Sequence, residues 1–234
     1  MTTRLLILLP TLLLAAVAVG CHDAASGSAP SSPEIQADLA EPLPYYADGD
    51  FTPHWFATEA DVPADFHAIP AFALTNQLGE RITETALDGH ITIANFFFTA
   101  CPGICPMTTA NMKRLQEAFA DEDDLLLLSH SVTPAADSVA ALQAFAQRMG
   151  VIAERWHLVT GEQDAIYALG KEAYFADDDL GEATPDLNAA FTHTESFYLL
   201  DGQRRIRGIY NGMNRTAVSQ LIEDVQTLRH EMAD

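Results

Sequence analysis

The chain has 234 residues, 48% of them hydrophobic, which is enough for one medium-sized domain with a buried core and some additional segments. A total of 33 acidic against 12 basic residues gives a formal net charge of -21 at pH 7. A field of this sign repels phosphate backbones and argues against nucleic acid as a partner, whereas it suits a soluble surface or attraction of a cation or a basic protein face. The three cysteines are too few for the disulfide framework of a small secreted scaffold.

Residues 1–20 are typical of an export signal, because a positively charged start is followed by an apolar stretch, residues 5–19, that is short for a membrane span. Small residues precede Cys21, which resembles a bacterial lipoprotein signal in which the cysteine is lipidated, although Ala18 stands where such signals more often carry Leu. An ordinary cleaved signal and an uncleaved anchor helix remain as alternatives. In each case we expect the domain to work outside the cytoplasm, in the cell envelope, where disulfides persist; the lipoprotein interpretation adds a lipid anchor in a membrane.

The chain after the signal divides into three predicted parts. Residues 21–42 are rich in Ala, Ser, Pro and acidic residues, which predicts a disordered tether that holds the domain off the membrane. Residues 43–62 contain aromatic residues spaced by Pro and Asp, which is typical of an extended arm that packs on a core. Residues 63–234 are the predicted folded domain.

The first half of the domain begins with two short predicted strands within residues 69–83, around a turn at residues 76–79. A nearly continuous apolar run at residues 90–100 predicts a strand that is buried on both faces. The cysteine segment follows directly. A helix is then predicted at residues 107–120, where apolar residues recur at helical spacing: Met107, Met112, Leu115 and Phe119.

The second half continues the alternation of strands and helices. Asp137 is the predicted N-cap and Gly150 the predicted stop of a helix at 138–150. The other predicted elements are a buried strand at 123–132, a short strand at 156–159, a helix at 164–175, an acidic surface loop at 177–186, a hairpin at 196–210 with its turn at Asp201-Gly202, and a final helix at 216–231. This order predicts an α/β, thioredoxin-like sandwich with a central mixed sheet flanked by helices and with a C-terminal β-hairpin and helix.

Cys101 and Cys105 lie between the buried strand and the helix, in the segment FTACPGICP. Ligands bind outside the carboxyl ends of strands in α/β sheets, and a helix N-terminus stabilises a thiolate. If the first helical turn includes both residues, their sulfurs face the same side and could bind one metal ion or close a disulfide. Two thiolates favour Cu(I) over hard cations, and there is no second cysteine pair for a structural zinc site. A disulfide that only staples the loop remains the alternative.

His193 is the candidate for a third ligand among eight histidines. It precedes the predicted strand at residues 196–200, in the loop that lies beside the cysteine loop in a thioredoxin-like fold. Thioredoxins usually place a cis-proline there, but no proline follows Asn188 in this chain. A histidine in this loop could complete a site of two sulfurs and one nitrogen, although a lone loop histidine is more often not a ligand.

Four blocks of sequence, in matching order and spacing over about residues 63–228, resemble the Sco/SenC family: FFFTACPGICPMTTANMKRLQ, LLLLSHSVTPAADSVAALQAFAQ, RWHLVTG and FTHTESFYLLDGQRRIRGIYNG. The resemblance implies a thioredoxin fold that binds copper through Cys101, Cys105 and His193. It also implies delivery of copper to the dinuclear copper centre of cytochrome c oxidase, or reduction of the cysteines of that centre. The implied partners are subunit II of the oxidase or its assembly factors.

The chain departs from the family at positions where many members carry acidic residues: Gly103, Thr192, Thr133 and Ala136. Missing acids could shift the affinity for copper or the preferred oxidation state. None of these departures removes an expected ligand.

Two functions follow from this interpretation. A metallochaperone would hold Cu(I) on the two sulfurs, with His193 capping the ion and helping to hold Cu(II), and would transfer it by ligand exchange with partner cysteines. Met107 and Met112 could assist as soft ligands, but we expect them to pack in the core. An extracytoplasmic thiol-disulfide oxidoreductase would instead use Cys101 and Cys105 as a catalytic redox pair, one attacking a partner disulfide and the other resolving the mixed disulfide.

Two further interpretations of the cysteine segment are a thiol peroxidase and a structural lipoprotein. A thiol peroxidase needs a threonine hydroxyl three residues before its reactive cysteine, but Phe98 and Pro102 occupy those positions before Cys101 and Cys105. A purely structural lipoprotein would contain an inert disulfide and a dispensable His193.

Overall fold

The computed structural model describes residues 42–100, 103–176 and 195–233. The strands are β1 (Ala73–Asn76), β2 (Arg81–Thr83), β3 (Ile91–Phe97), β4 (Leu125–Ser131), β5 (Trp156–Thr160), β6 (Ser196–Leu200) and β7 (Ile206–Asn211). The helices are α1 (Cys105–Ala118), α2 (Val139–Met149), α3 (Gln163–Ala168) and α4 (Arg215–Ala233). A π-helical turn at Leu169–Ala173 continues α3, and short 3-10 turns occur at Glu59–Asp61 and Glu84–Ala86.

The strands form one mixed sheet in the order β2-β1-β5-β4-β3-β6-β7. The three central strands β3, β4 and β5 are parallel, whereas β1 and β2 on one side and β6 and β7 on the other pair antiparallel. Parallel neighbours need crossover connections, which α1 and α2 supply. The observed architecture confirms the predicted thioredoxin-like sandwich with its C-terminal hairpin and helix.

Both faces of the sheet are covered, which explains the continuous apolar runs. Every residue of β3 and of β4 is buried. Helices α1, α2 and α4 pack on one face through residues such as Met112, Leu142 and Val218, and α3 with its π-helical turn packs on the other through Ile166 and Tyr174. The central strands therefore lie between two helical layers.

The start of α2 differs from the prediction. The N-cap is Ser138, whose Oγ accepts a hydrogen bond of 3.3 Å from the N–H of Ala141, so the prediction of Asp137 as the N-cap is wrong. Asp137 is buried, and its carboxylate accepts hydrogen bonds from Thr99, Ser131 and Thr133. The predicted stop is confirmed, because Gly150 adopts a left-handed conformation (φ 72) and its N–H bonds to the carbonyl of Ala146.

The hairpin between β6 and β7 turns where predicted, but the connection spans residues 201–205 and is longer than a two-residue turn. The carboxylate of Asp201 accepts hydrogen bonds from the N–H groups of Gln203 and Arg205, both at 2.9 Å, and Arg204 adopts a positive φ of 66. Local bonding by an Asp side chain therefore closes the turn. The predicted acidic loop at 177–186 lies outside the described residues.

The arm at residues 43–62 packs against the β7 edge of the sheet. The N–H of Tyr46 donates to the carbonyl of Ile206 at 3.0 Å, and Tyr45 forms a β-bridge with His54 further along the arm. The guanidinium of Arg207 lies 3.8 Å from the ring centroid of Tyr45 and donates to the carbonyls of Leu43 and Pro44. The cation–π contact and the two hydrogen bonds from Arg207 to backbone carbonyls therefore hold this segment against β7.

The described ranges contain no helix that is both long and apolar enough to cross a membrane. The predicted signal at residues 1–20 lies outside these ranges, as do Cys21 and nearly all of the predicted tether.

Candidate metal centre

Cys105 is the first residue of α1 and follows the carboxyl end of β3 by way of the cysteine loop. It is 5% exposed and belongs to the apolar cluster that α1 forms with the sheet. The preceding residue, Ile104, is the N-cap and makes no side-chain cap, and its carbonyl accepts from the N–H groups of Met107 and Thr108. The partial positive charge of an α-helix N-terminus favours an anionic ligand, so Cys105 stands where a metal-binding thiolate is stabilised.

The other two predicted ligands, Cys101 and His193, lie outside the described residues. The structure does describe the chain on either side of them. Thr99 and Ala100 lead towards Cys101 from the carboxyl end of β3, and Glu195 leads from the His193 segment into β6. Because β3 and β6 pair antiparallel, with Thr92 opposite Leu200, the end of β3 and the start of β6 lie at the same end of the sheet.

Gly212 connects the helix that carries Cys105 with the segment that follows His193. The carboxamide of Asn111 in α1 donates to the carbonyl of Gly212 at 2.7 Å, and the N–H of Gly212 donates to the carbonyl of Glu195 at 2.6 Å. A Cβ at this position would lie 2.4 Å from the Phe197 ring and 2.8 Å from that carbonyl oxygen, so only glycine allows this close approach. The flanks of both predicted ligand segments are therefore held together at one end of the sheet.

A buried carboxylate supports the chain that enters the cysteine loop. Asp137 is 1% exposed and accepts hydrogen bonds from the N–H and Oγ1 of Thr99 and from the hydroxyls of Ser131 and Thr133. This role is not predicted from the sequence, since an Asp before a helical segment is typical of an ordinary N-cap. The signal that could have revealed it is the presence of two candidate caps side by side, of which Ser138 alone suffices.

The two methionines of α1 differ in exposure. Met112 is 0% exposed, which confirms the expected core packing, whereas Met107 is 49% exposed, so the same expectation is wrong for Met107. Met107 lies in the first turn of α1, on a side of the helix that faces solvent.

The described histidines do not form a metal site of their own. His130, in β4, is fully buried and stacks on Phe96 at 5.0 Å between ring centroids, and burial lowers its pKa from 6.5 to about 4. In the described ranges no cluster of three or more His, Cys, Asp or Glu side chains is arranged to hold a metal ion, but these ranges include only one of the three predicted ligands.

A cavity of about 780 Å³ lies at the opposite end of the sheet from Cys105. Its lining includes Tyr45, Phe56, Arg205, Arg207 and Glu231. Both arginines are nearly buried and paired, Arg205 with Asp201 and Arg207 with Glu231. Of the described residues, the lining comes from the arm, the β6–β7 connection, β7 and the end of α4 and does not include Cys105, so this cavity belongs to the packing of the arm.

Several solved structures share this fold. A SCO1/SenC family lipoprotein from Bacillus anthracis superposes with a TM-score of 0.62 and 31% identity, over 74% of this chain and 99% of that one. BsSco, a member of the Sco family of cytochrome c oxidase assembly proteins in which a disulfide switch was identified, gives a TM-score of 0.60 and 29% identity over 69% and 93% of the two chains. Bradyrhizobium japonicum ScoI with copper bound gives 0.52 and 23% over 67% and 98%, which shows the shared fold alone.

Comparison of sequences identifies the family. The SCO1 protein homolog of Bacillus subtilis (strain 168) is 30% identical over 167 residues, which make up 70% of this chain and 84% of the relative. The SCO1/SenC family model matches residues 61–230. This match covers more than half of the chain, including the cysteine loop, α1 and the segment before β6, and the protein therefore belongs to the SCO1/SenC family.

Proposed function

We propose that this protein is a copper metallochaperone that delivers copper to the dinuclear copper site of cytochrome c oxidase, or prepares that site. The observation that carries the proposal is the position of Cys105: a buried thiol on the first residue of α1, at the carboxyl end of the parallel strands. This is where α/β sheets bind ligands and where a helix N-terminus favours a thiolate.

The proposed ligands are Cys101, Cys105 and His193. Copper is the cargo, so the site has to bind the ion and also release it. Two thiolates suit Cu(I), and an imidazole nitrogen added to them suits Cu(II) as well. The described residues that lead to Cys101 and that follow His193 lie at the same end of the sheet, and hydrogen bonds through Gly212 join α1, which carries Cys105, to Glu195. Transfer proceeds by ligand exchange, in which thiolates of the partner replace those of this chain.

The proposed partner is subunit II of cytochrome c oxidase or an assembly factor of that enzyme. Support comes from BsSco, which is described as a member of a family of cytochrome c oxidase assembly proteins and is 29% identical to this chain. The net charge of -21 favours a partner with a basic face and argues against nucleic acid.

A thiol-disulfide oxidoreductase is the second candidate, with Cys101 and Cys105 as the catalytic pair. The observation that favours it is the start of α1 at Cys105 without a side-chain cap, since a thiolate at an uncapped helix N-terminus is suited to attack a disulfide. The two activities are compatible, because preparing a copper site can require reduction of its cysteines.

We also propose that the protein is a lipoprotein of the cell envelope, anchored to a membrane through Cys21 after removal of residues 1–20. Residues 21–42 then act as the tether, residues 43–62 as the arm, and residues 63–234 as the copper-binding domain. The fold relative from Bacillus anthracis is itself a lipoprotein. Replacing Cys21 with Ser should move the protein from the membrane fraction to the soluble fraction and remove the acyl mass from its N-terminal peptide; retention of either would contradict the lipid anchor.

The function is tested by anaerobic copper titration of the reduced protein. Cu(I) binding is measured by competition with a chromophoric chelator, and Cu(II) binding by thiolate-to-copper absorption. The variants are Cys101→Ser, Cys105→Ser and His193→Ala, with His90→Ala as the control for removal of a histidine. His90 immediately precedes β3 and so lies at the other end of that strand.

The chaperone proposal predicts one copper per chain, lost in both cysteine variants, weakened in His193→Ala and unchanged in His90→Ala. Absence of copper binding together with rapid reduction of a model disulfide would transfer the assignment to the oxidoreductase. Absence of both activities would leave a structural lipoprotein.

A further inference from the structure

The carboxylate of Asp137 is the buried acid whose role the fold alone does not explain. Its shortest bond comes from the Oγ1 of Thr99, at 2.5 Å, and the N–H of the same residue donates at 3.2 Å. Ser131 Oγ donates at 2.6 Å and Thr133 Oγ1 at 3.1 Å. One carboxylate thus joins the root of the cysteine loop to the end of β4 and to the connection that leads into α2.

A buried carboxylate needs a specific reason to be present, because removal of the charge from water is costly. Over residues 42–100, 103–176 and 195–233, Asp137 forms no ion pair with a basic side chain. Its charge is held there by hydroxyl and amide donors. Ser138 already caps α2, so the helix does not require the carboxylate. Of the hydrogen-bond partners of Asp137, Thr99 is the one that connects the carboxylate to the cysteine loop.

Thr99 lies two residues before Cys101. Its backbone and side chain both donate to the same carboxylate, which fixes the position of the chain and also its direction as it enters the loop. Many family members carry an acidic residue at the position of Thr133. In this chain the hydroxyl of Thr133 donates a hydrogen bond to the carboxylate of Asp137. The chain that leads to Cys101 is therefore fixed in position as far as Thr99.

We propose that Asp137 is a positioning residue for the cysteine pair, so that the copper affinity of the site and the stability of a Cys101–Cys105 disulfide both depend on it. This inference rests on the proposed function, in which Cys101 and Cys105 hold copper. Among the described residues, the carboxylate of Asp137 accepts hydrogen bonds from Thr99, Ser131 and Thr133, and it acts on the cysteine pair through Thr99. Groups that orient metal ligands in this way commonly change metal affinity by about 10- to 100-fold when they are replaced.

The test compares Asp137→Asn with Asp201→Asn in the whole expressed chain, purified in a mild detergent. Asp201 is the control for loss of a buried carboxylate charge, because it is also 1% exposed and accepts backbone N–H bonds, although it also pairs with Arg205. It follows Leu200, which pairs with Thr92, so the length of β3 places it about 17 Å from the end of that strand at which the cysteine loop begins. The measurements are Cu(I) affinity, the Cu(II) thiolate absorption band, and the equilibrium of the cysteine pair with reduced and oxidised glutathione.

We expect Asp137→Asn to weaken copper binding about 10- to 100-fold, to shift the absorption band and to change the glutathione equilibrium constant at least severalfold. Asp201→Asn should lower the urea midpoint of unfolding while leaving those three measurements at wild-type values. The proposal is overturned if Asp137→Asn retains the wild-type affinity, band and equilibrium constant, or if both variants change them equally.

Two further variants cover the other outcomes. If Asp137→Asn does not fold, Thr99→Val tests the same connection by removing the 2.5 Å hydroxyl bond while keeping the N–H donor, and Thr99→Ser should restore wild-type behaviour. Equal behaviour of Thr99→Val and Thr99→Ser would then refute the positioning role. If the wild-type protein binds no copper, the proposed function fails, and the glutathione equilibrium alone decides whether Asp137 positions the cysteines.

Discussion

Protonation of His130 should destabilise the folded state. The ring is fully buried in β4, stacked on Phe96, with the ring of Tyr174 at its edge. Nδ1 lies 3.3 Å from the carbonyl of Asn95, which can only accept, so Nδ1 carries the proton of the neutral ring. In the described part of the chain Nε2 has no hydrogen-bond partner. Desolvation therefore lowers the pKa of His130 to about 4, and the bond to Asn95 opposes this effect only in part.

The sign of the resulting pH dependence follows from proton linkage. The unfolded chain protonates His130 near pH 6.5, whereas the folded protein does so near pH 4, so the unfolded state binds more protons in between. The contribution of neutral His130 to the free energy of unfolding is therefore fully present above pH 6.5 and is lost as the pH falls towards 4. At about 1.4 kcal/mol per pH unit, the difference between the two pKa values corresponds to about 3 kcal/mol of unfolding free energy.

The assay is urea unfolding of the wild type and of His130→Phe at several pH values between 7 and 4. Burial also lowers the pKa of His157, which adds a loss of the same sign to both proteins. The variant should lose about 3 kcal/mol less than the wild type over this range. Parallel curves for the two proteins, or a His130 ring that titrates near pH 6.5 in NMR spectra of the folded wild type, would refute the reasoning.

Three further predictions concern stability and are checked by urea unfolding. Arg207→Met should cost about 3–5 kcal/mol and render the arm sensitive to limited proteolysis, because it leaves buried acceptors and a carboxylate without their cation; an arm that stays protected would contradict this. Met112→Ala should cost about 2–5 kcal/mol through the cavity it creates, whereas Met107→Ala should stay within about 0.5 kcal/mol, and equal costs would disprove the difference in burial. Gly150→Ala should cost about 1 kcal/mol because of its left-handed φ of 72, and a neutral effect would show that α2 can end differently.

Much of the fold could be predicted from the sequence because its parallel strands are buried on both faces. The largely apolar runs ITIANFF and LLLLSHS predict strands without a solvent-exposed face, and each run is followed by a helix of ordinary length. Gly150 marks the end of α2 for a local reason, since the left-handed conformation favours glycine. These features depend on neighbours along the chain, which a sequence displays.

The features that were missed depend on distant partners. Asp137 and Ser138 are both good N-caps, and the choice between them is decided by Thr99, 38 residues away, which uses the carboxylate of Asp137. Met107 follows the same helical spacing as Met112, but its side of α1 is left uncovered by the rest of the fold. For the candidate metal centre, the sequence predicted the position of Cys105 between strand and helix; Cys101 and His193 stay predictions.

The bridge between Tyr46 and Ile206 has a consequence for how the protein behaves in solution. The outer edge of β7 would otherwise present unpaired backbone groups, which are a template for pairing with strands of other molecules. The other edge strand of the sheet, β2, has only three residues and offers little to pair with. A fragment that began at residue 61, where the family match begins, would lack the arm and expose the β7 edge. Such a fragment should self-associate or aggregate, whereas one beginning at residue 42 should stay monodisperse.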